Sequence, residues 1–183
     1  RRIIHKANVQ DRLVHRMIYN YLLEVYNKRW LDCSFSCRPG FGQHVSINSV
    51  DRMLRQVTRN CKRTVWAVKL DLKKFFDHID HTLLYQFVGR RVDDQNICEL
   101  IRKIIKSFHC GIQGVGVPIG NLTSQIFANV YLHECDLFVK HSLKITHYAR
   151  YADDCIAIFD DHSLVAPYIQ AMQQFFRMNL KLE

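Results

Sequence analysis

Three aspartates have the type and spacing to support metal-dependent chemistry. Asp71 ends a short apolar stretch at residues 64–70, and Asp153 and Asp154 lie between two strand-like runs some eighty residues later. If those runs form a hairpin that pairs beside the first strand, all three carboxylates converge at one edge of a sheet. Clustered like charges are costly unless a cation neutralises them. The alternative interpretation is a solvated turn at Asp153 and Asp154 and a helix cap at Asp71.

Such a cluster suits Mg²⁺, a hard cation that prefers octahedral oxygen ligands and usually shares them with substrate phosphates. Two such ions roughly 3.5–4 Å apart can activate an attacking 3′-hydroxyl and stabilise a leaving pyrophosphate. The residue types therefore predict nucleotidyl transfer.

The elements that must position these aspartates are mainly helical. Apolar residues recur at helical spacing over residues 11–28, 97–108, 121–141 and 163–180, and a helix with a basic polar face is predicted over residues 46–60. Asp93 and Asp94 can cap the helix of residues 97–108, and the glycine-rich residues 111–120 break its pattern. Helices, strand, helices, hairpin and helix follow one another, which indicates an α+β fold rather than a regular βαβ alternation.

Composition limits the class of protein. The chain has 183 residues, of which 48% are hydrophobic, and 26 Lys+Arg against 17 Asp+Glu give a net charge of +9. The hydrophobic fraction excludes intrinsic disorder and a disulfide mini-protein. No run approaches the ~18 apolar residues that a membrane span needs. The excess positive charge favours a polyanionic partner. The seven scattered cysteines, with no Cys-x-x-Cys, indicate reduced thiols and a cytoplasmic location. Both ends interrupt helical patterns, so we expect a portion of a longer protein.

Three segments together resemble the palm motifs of reverse transcriptases, in order and spacing. They read VKLDLKKFFD at residues 68–77, GVPIGNLTSQ at residues 116–125 and YADD at residues 151–154. Upstream, RIIH at residues 2–5, DR at 11–12 and SFSCRPG at 34–40 resemble the fingers motifs of the bacterial enzymes. The resemblance covers nearly the whole chain and implies an RNA-directed DNA polymerase.

The resemblance also implies a right-hand polymerase architecture, with an antiparallel palm sheet and packed helices. Residues 1–63 correspond to part of the fingers and residues 64–183 to the palm, with some fingers elements between 77 and 110. The rest of the palm and the thumb are expected outside these residues.

Site residues follow from the same resemblance. Asp71 and Asp153 are implied as ligands of two Mg²⁺ ions, with Asp154 beside them and the Leu72 carbonyl as a further oxygen. Phe76 stands where the family places an aromatic gate that excludes a 2′-hydroxyl; the alternative is a core aromatic. The residues implied to hold the triphosphate are the backbone amides of Lys74 and Phe75, Arg2 and Arg38.

The middle motif departs from the usual pattern. Most reverse transcriptases have Gln before its glycine and Pro after its serine, whereas this chain has Ile119 before Gly120 and Gln125 after Ser124. Ile119 offers no hydrogen bond near the incoming nucleotide, and both variant positions resemble the enzymes of diversity-generating retroelements, which copy RNA with errors at adenines. Group II intron-type, retron-like and phage-defence enzymes stay open as alternatives, as does an RNA-binding, maturase-like scaffold.

The implied partners are an RNA template, a DNA or RNA primer and dNTPs, with an accessory protein as a further candidate and no membrane. Basic residues of the second helix would contact template phosphates without reading sequence; the alternative is a solvated helix face. The residues assigned to nucleic-acid binding are Arg52, Arg55, Arg59 and Tyr151.

Overall fold

A computed structural model describes residues 7–182, and its chain divides into two compact units. Unit 1 comprises residues 7–30, 74–131 and 180–182, and unit 2 comprises residues 31–73 and 132–179. Within the described residues, no helix is both long and apolar enough to cross a membrane.

Unit 1 is helical. Its helices are α1 (Val9–Asn27), α3 (Phe75–His78), α4 (His81–Gly89), α5 (Gln95–Lys106) and the first part of α6 (Leu122–Leu137). Asn8, Asp80 and Asp94 cap α1, α4 and α5, each accepting a hydrogen bond from a backbone amide three residues on. Of the two aspartates predicted to cap α5, Asp94 makes the hydrogen bond. Helix α4 was not predicted from the pattern of residues 77–92.

The core of unit 1 forms around Tyr131 of α6. Its ring packs edge-on against Phe87 at 5.4 Å, and its hydroxyl donates to the Leu180 carbonyl at 2.7 Å. Tyr26 of α1 donates in the same way to the Phe87 carbonyl at 2.9 Å. Buried tyrosines need such partners because an unpaired hydroxyl in an apolar core is costly. Other fully covered side chains of this unit are Ile18, Leu22, Leu84, Val88, Ile101 and Ile126.

Unit 2 contains α2 (Gln43–Val57) and a three-stranded antiparallel sheet. The strands are β1 (Trp66–Asp71), β2 (Tyr148–Tyr151) and β3 (Asp154–Phe159), in the spatial order β1-β3-β2. The predicted hairpin is therefore confirmed, with Ala152 and Asp153 as its turn.

Helical segments and α2 complete unit 2. The predicted long helix changes at Leu137, where α6 gives way to a π-helical turn at Phe138–Ser142. A short 3₁₀ turn at His162–Leu164 precedes α7 (Val165–Leu180). Phe138 stacks on Phe175 of α7 at 4.3 Å, and Phe159 of β3 packs on Tyr168 at 5.1 Å, whereas α2 packs against β2 and β3.

Candidate active site

The sheet of unit 2 brings the predicted carboxylates to one end. Asp71, the last residue of β1, is the register partner of Asp154, the first residue of β3. Directly opposed residues in an antiparallel pair have Cβ atoms about 4.5–5.5 Å apart. Asp153 belongs to the turn immediately before β3. The predicted convergence of the two strand-end aspartates is therefore present in the fold.

Strand alternation decides which side chains accompany these carboxylates. Register partners share a face, so Asp71, Asp154 and Tyr151 lie together on one face of the sheet, and Lys69 follows two residues before Asp71. Asp71 is exposed, and Tyr151 is 38% exposed. This carboxylate face is accessible to a large ligand at the end of the sheet.

Lys69 neutralises part of the acidic charge. Its Nζ lies 2.8 Å from Asp154 Oδ1. The hydrogen bond and charge of Asp154 raise the pKa of Lys69, and the charges of Asp71 and Asp153 raise it further. The Lys69 ammonium is therefore within electrostatic reach of all three carboxylates.

A hollow of about 180 Å³ opens beside this ion pair on the carboxylate face. Ser46 of α2 forms one wall, and Lys69, Tyr151 and Asp154 form another, with Ile156 among its apolar lining. An aromatic ring, a hydroxyl and a carboxylate around one hollow are suited to a ligand with both flat and polar parts.

The donor set can be tested against the implied magnesium. Among residues 7–182, no three His, Cys, Asp or Glu side chains are grouped so that they would enclose a metal ion by themselves. Mg²⁺ is usually held by one or two carboxylates, with waters and substrate phosphates supplying the other oxygens. The carboxylates of Asp71, Asp153 and Asp154 fit such a site, in which the protein supplies only some of the oxygen ligands. They do not form a site in which protein groups alone surround the ion.

The residues after Asp71 divide between core and surface. Leu72 is buried and Lys74 adopts a left-handed backbone with φ of 50°. In unit 1, Phe75 is buried at 1% exposure, whereas Phe76 is only half-buried and packs edge-on against it at 5.3 Å. The inward ring of the pair is therefore Phe75, and Phe76 is the one that keeps an open side.

The middle motif lies beside Phe76 in unit 1. The Val117 amide donates to the Phe76 carbonyl at 2.8 Å, which fixes the segment that leads to Ile119. Ile119 is half-buried, and Gly120 is exposed with φ of 113°, a backbone conformation that favours glycine. The structure thus places the start of the middle motif, at Val117, against the backbone of the predicted sugar gate, Phe76.

The predicted triphosphate arginines have separate outcomes. Arg2 lies outside the described residues. Arg38 is buried, donates from Nη1 to the carbonyls of Leu31 and Ser34 at 2.7 Å each, and stands 3.9 Å from the Phe41 ring centroid. Burial lowers its pKa, although the charge of Asp32 opposes that shift. These contacts give Arg38 a structural role, and its contact with a triphosphate stays a prediction.

The predicted nucleic-acid residues other than Tyr151 belong to α2 and the turn after it. Arg52, Arg55 and Arg59 are all exposed. Arg55 Nε lies 2.8 Å from Asp51 Oδ2 one helical turn earlier, so its charge is partly compensated. Arg52 and Arg59 therefore offer the more available positive charge to a phosphate backbone.

Arg150 and Asp136 were not predicted as site residues; both are fully buried and joined by an ion pair at 2.6 Å. The available signal was alternation: Tyr151 faces the open side, so Arg150 must face the covered side. Charged residues are almost never fully buried unless they are paired. The partner of Arg150, Asp136, is on another element, so the sequence alone does not identify it.

Comparisons with known proteins agree with the motifs. Residues 1–183 match the family described as "Reverse transcriptase (RNA-dependent DNA polymerase)". The mitochondrial protein ymf11 of Marchantia polymorpha is 32% identical over 142 residues, 77% of this chain and 18% of that protein. The group II intron-encoded protein LtrA of Lactococcus lactis is 29% identical over 136 residues, 70% of this chain and 21% of that protein.

A solved structure supports the same fold. Apo telomerase from Candida tropicalis superposes with a TM-score of 0.67 at 13% identity, covering 93% of this chain and 35% of that chain. This likeness confirms the predicted α+β polymerase fold. The chain spans about a fifth of the length of the curated relatives described above. On the family match over all its residues, this chain belongs to the reverse transcriptase family.

Proposed function

We propose that the chain provides the fingers and palm of an RNA-directed DNA polymerase that adds dNTPs to a primer 3′ end. The observation that carries the proposal is the placement of Asp71 opposite Asp154, with Asp153 in the adjoining turn. We retain residues 1–63 as part of the fingers and residues 64–183 as palm with some fingers elements between 77 and 110.

Asp71, Asp153 and Asp154 are the residues that would hold two Mg²⁺ ions, with the Leu72 carbonyl as a further oxygen. When bound, such ions lower the pKa of the primer hydroxyl and stabilise the charge of the leaving pyrophosphate. The chain itself supplies rigid carboxylate positions, because β1 and β3 are hydrogen-bonded along their whole length. Lys69 limits the mutual repulsion of these carboxylates before substrate arrives.

The remaining predicted residues would bind the substrates. Lys74 and Phe75 amides, with Arg2 and Arg38, would hold the triphosphate, and Phe76 would pack under the deoxyribose. Phe76 suits this role because it is the half-buried member of its pair.

The proposed nucleic-acid partners are an RNA template and a DNA or RNA primer. Arg52, Arg55, Arg59 and Tyr151 are all exposed and would contact them. Contacts of arginines with phosphates position a template without reading its sequence. An accessory protein and a cytoplasmic location complete the proposal.

The finer proposal is a diversity-generating retroelement enzyme. It is supported by Ile119 before Gly120 and by Gln125 after Ser124. Ile119 cannot supply the hydrogen bond that a glutamine would, and loss of a polar contact at the nascent base pair lowers discrimination between nucleotides.

A second candidate is a group II intron-type enzyme. It is favoured by the 29% identity to the intron-encoded protein LtrA. Retron-like enzymes, phage-defence enzymes and an RNA-binding, maturase-like scaffold stay open as well. The error spectrum of the cDNA separates the first two candidates, because only the retroelement assignment expects errors concentrated at template adenines.

Primer extension by the full-length protein on an RNA template, with dNTPs and Mg²⁺, tests the proposal. We expect cDNA from the wild type and none from Asp153→Ala. Asp160→Ala is a matched control, since Asp160 lies outside the carboxylate cluster and pairs with Arg63 at 3.1 Å. Equal cDNA from wild type and Asp153→Ala would contradict the assignment, and RNA binding without extension would favour the scaffold.

A further inference from the structure

Arg150 is a buried cation for which the proposed chemistry has no direct use. It is on β2 immediately before Tyr151, and alternation directs its side chain to the covered face of the sheet. Arg150 and Asp136 of α6 have no exposed surface. Removing two charges from water is expensive, so a buried pair is weak support for stability alone. Its contacts indicate what else it does.

The guanidinium joins three parts of unit 2. Nε and Nη2 donate to the two Asp136 carboxylate oxygens at 2.7 and 2.6 Å, a bidentate pair. Nη2 also donates to Ser34 Oγ at 2.8 Å, and Nη1 donates to the Ala152 carbonyl at 2.9 Å. The same side chain therefore contacts α6, the loop before α2 and the hairpin turn.

The Ala152 contact is at the turn that carries Asp153. Ala152 has φ of 53°, a left-handed conformation that is disfavoured for residues with a Cβ atom. Its carbonyl belongs to the peptide unit that leads directly into Asp153. A hydrogen bond to that carbonyl restricts the peptide plane and hence the direction of the Asp153 side chain.

The backbone of Arg150 is anchored as well. Its amide donates to the Cys33 carbonyl at 2.7 Å, and its own carbonyl accepts from the Phe35 amide at 3.0 Å. Burial by itself lowers the pKa of Arg150, but the charge and hydrogen bonds of Asp136 outweigh burial and raise it. The guanidinium therefore stays charged and keeps all its donors.

We propose that Arg150 is a positioning residue: held by Asp136 and Ser34, it fixes the Ala152–Asp153 peptide so that the Asp153 carboxylate points into the reaction site. The inference rests on the proposed polymerase function. An error of about 1 Å in the position of a reacting group can cost about 100-fold in rate. Loss of the guanidinium should therefore lower kcat, whereas KM for dNTP should stay unchanged.

Two variants of the full-length protein separate positioning from folding. Arg150→Lys keeps a positive charge beside Asp136 but cannot donate to Asp136, Ser34 and Ala152 together, because an ammonium lacks the planar fork. The double variant Arg150→Met with Asp136→Leu replaces the ion pair by apolar side chains, a change that is often neutral or stabilising for the fold. Arg177→Lys on the exposed face of α7 is the matched control.

The measurements are steady-state kcat and KM for dNTP in primer extension, together with the melting temperature. We expect the double variant to fold with a melting temperature below the wild-type value, because the buried hydroxyls of Tyr148 and Ser34 each lose a partner, and to lose kcat roughly 100-fold. Arg150→Lys should lose kcat at unchanged KM. Wild-type kcat in either folded variant would overturn the positioning role. An inactive wild type would contradict the proposed polymerase function instead, so the two failures are distinguishable.

Discussion

Lys69 and Asp154 form an ion pair, 2.8 Å from Nζ to Oδ1, at the end of the sheet where the aspartates converge. Both side chains are substantially exposed, at 67% and 48%, so the pair contributes little to stability. The expected effect of the pair is on cation binding. The Lys69 ammonium is bonded to an Asp154 oxygen that a divalent cation would otherwise contact, and its positive charge repels that cation.

Replacing Lys69 should therefore strengthen cation binding. In Lys69→Met the Asp154 carboxylate is freed and a positive charge is removed, so the Mg²⁺ concentration for half-maximal primer extension should fall. A Mg²⁺ titration of the extension rate measures this. Lys103→Met, at an exposed position of α5, removes the same charge elsewhere and should leave the titration unchanged. A higher Mg²⁺ requirement in Lys69→Met would show that Lys69 supports cation binding.

Truncating Phe76 should relax sugar selectivity. Phe76→Ala removes the ring expected to exclude a 2′-hydroxyl, so the ratio of kcat/KM for dNTP over rNTP should fall roughly tenfold or more. Phe75→Leu is the matched comparison, because Phe75 is the buried ring of the pair. It should lower the melting temperature without changing the ratio. If both variants keep the wild-type ratio, Phe76 is a core residue only.

Restoring glutamine at the middle motif should raise fidelity. Ile119→Gln supplies a hydrogen-bonding group next to Gly120, and we expect fewer misincorporations opposite template adenines. Sequencing of cDNA made on an adenine-rich RNA measures the error rate. Ile112→Gln, at a position 67% exposed, is the matched control. An unchanged error rate in Ile119→Gln would assign the infidelity to another residue.

The arginines of α2 should differ in their effect on RNA binding. We expect Arg52→Ala to weaken binding to all RNA sequences, with a salt dependence that is shallower by about one phosphate contact. Arg55→Ala should have a smaller effect because Asp51 already compensates its charge. Binding measured at several salt concentrations tests the order. Equal loss in Arg177→Ala would indicate a non-specific effect of net charge.

The Asp80 carboxylate should make the free energy of unfolding depend on pH in the acid range. It caps α4 through the Leu83 amide at 2.9 Å and pairs with Lys181 at 2.7 Å. Burial alone would raise its pKa, but hydrogen bonds from Lys181 and the backbone lower it below 3.8. Stability from this group is therefore present above pH 3.8 and lost as pH falls through the lower folded-state pKa.

Two variants apportion that contribution. Asp80→Ala removes cap and pair and should reduce the free energy of unfolding by about 1 kcal/mol or more at pH 7. Asp80→Asn keeps a capping oxygen and should cost less. Urea unfolding measures both, and the difference between wild type and Asp80→Asn should shrink as the pH falls below 3.8 and through the lower folded-state pKa of Asp80. A difference that persisted in acid would mean that packing, not charge, is responsible.

Local patterns were sufficient for the hairpin and for several helix boundaries. Two strand-like runs around the aspartate pair predicted the hairpin of β2 and β3, and the predicted cap at Asp93 and Asp94 is confirmed, with Asp94 making the hydrogen bond. These features depend on residues a few positions apart. Helix α4 was not predicted, because it is short and its sequence has no clear polar face. Its side chains are buried by contacts with the core of unit 1, which a local pattern does not show.

The sequence by itself determined which chemistry is available: three aspartates, a pair of phenylalanines and a variant middle motif, with an excess of positive charge. Only the tertiary structure decided that Lys69 pairs with Asp154 and that Phe75 is the inward ring. It also placed Arg150 beneath the hairpin against Asp136. The physical reason is that burial and ion pairing depend on contacts between distant segments, whose register and packing partners no local pattern specifies.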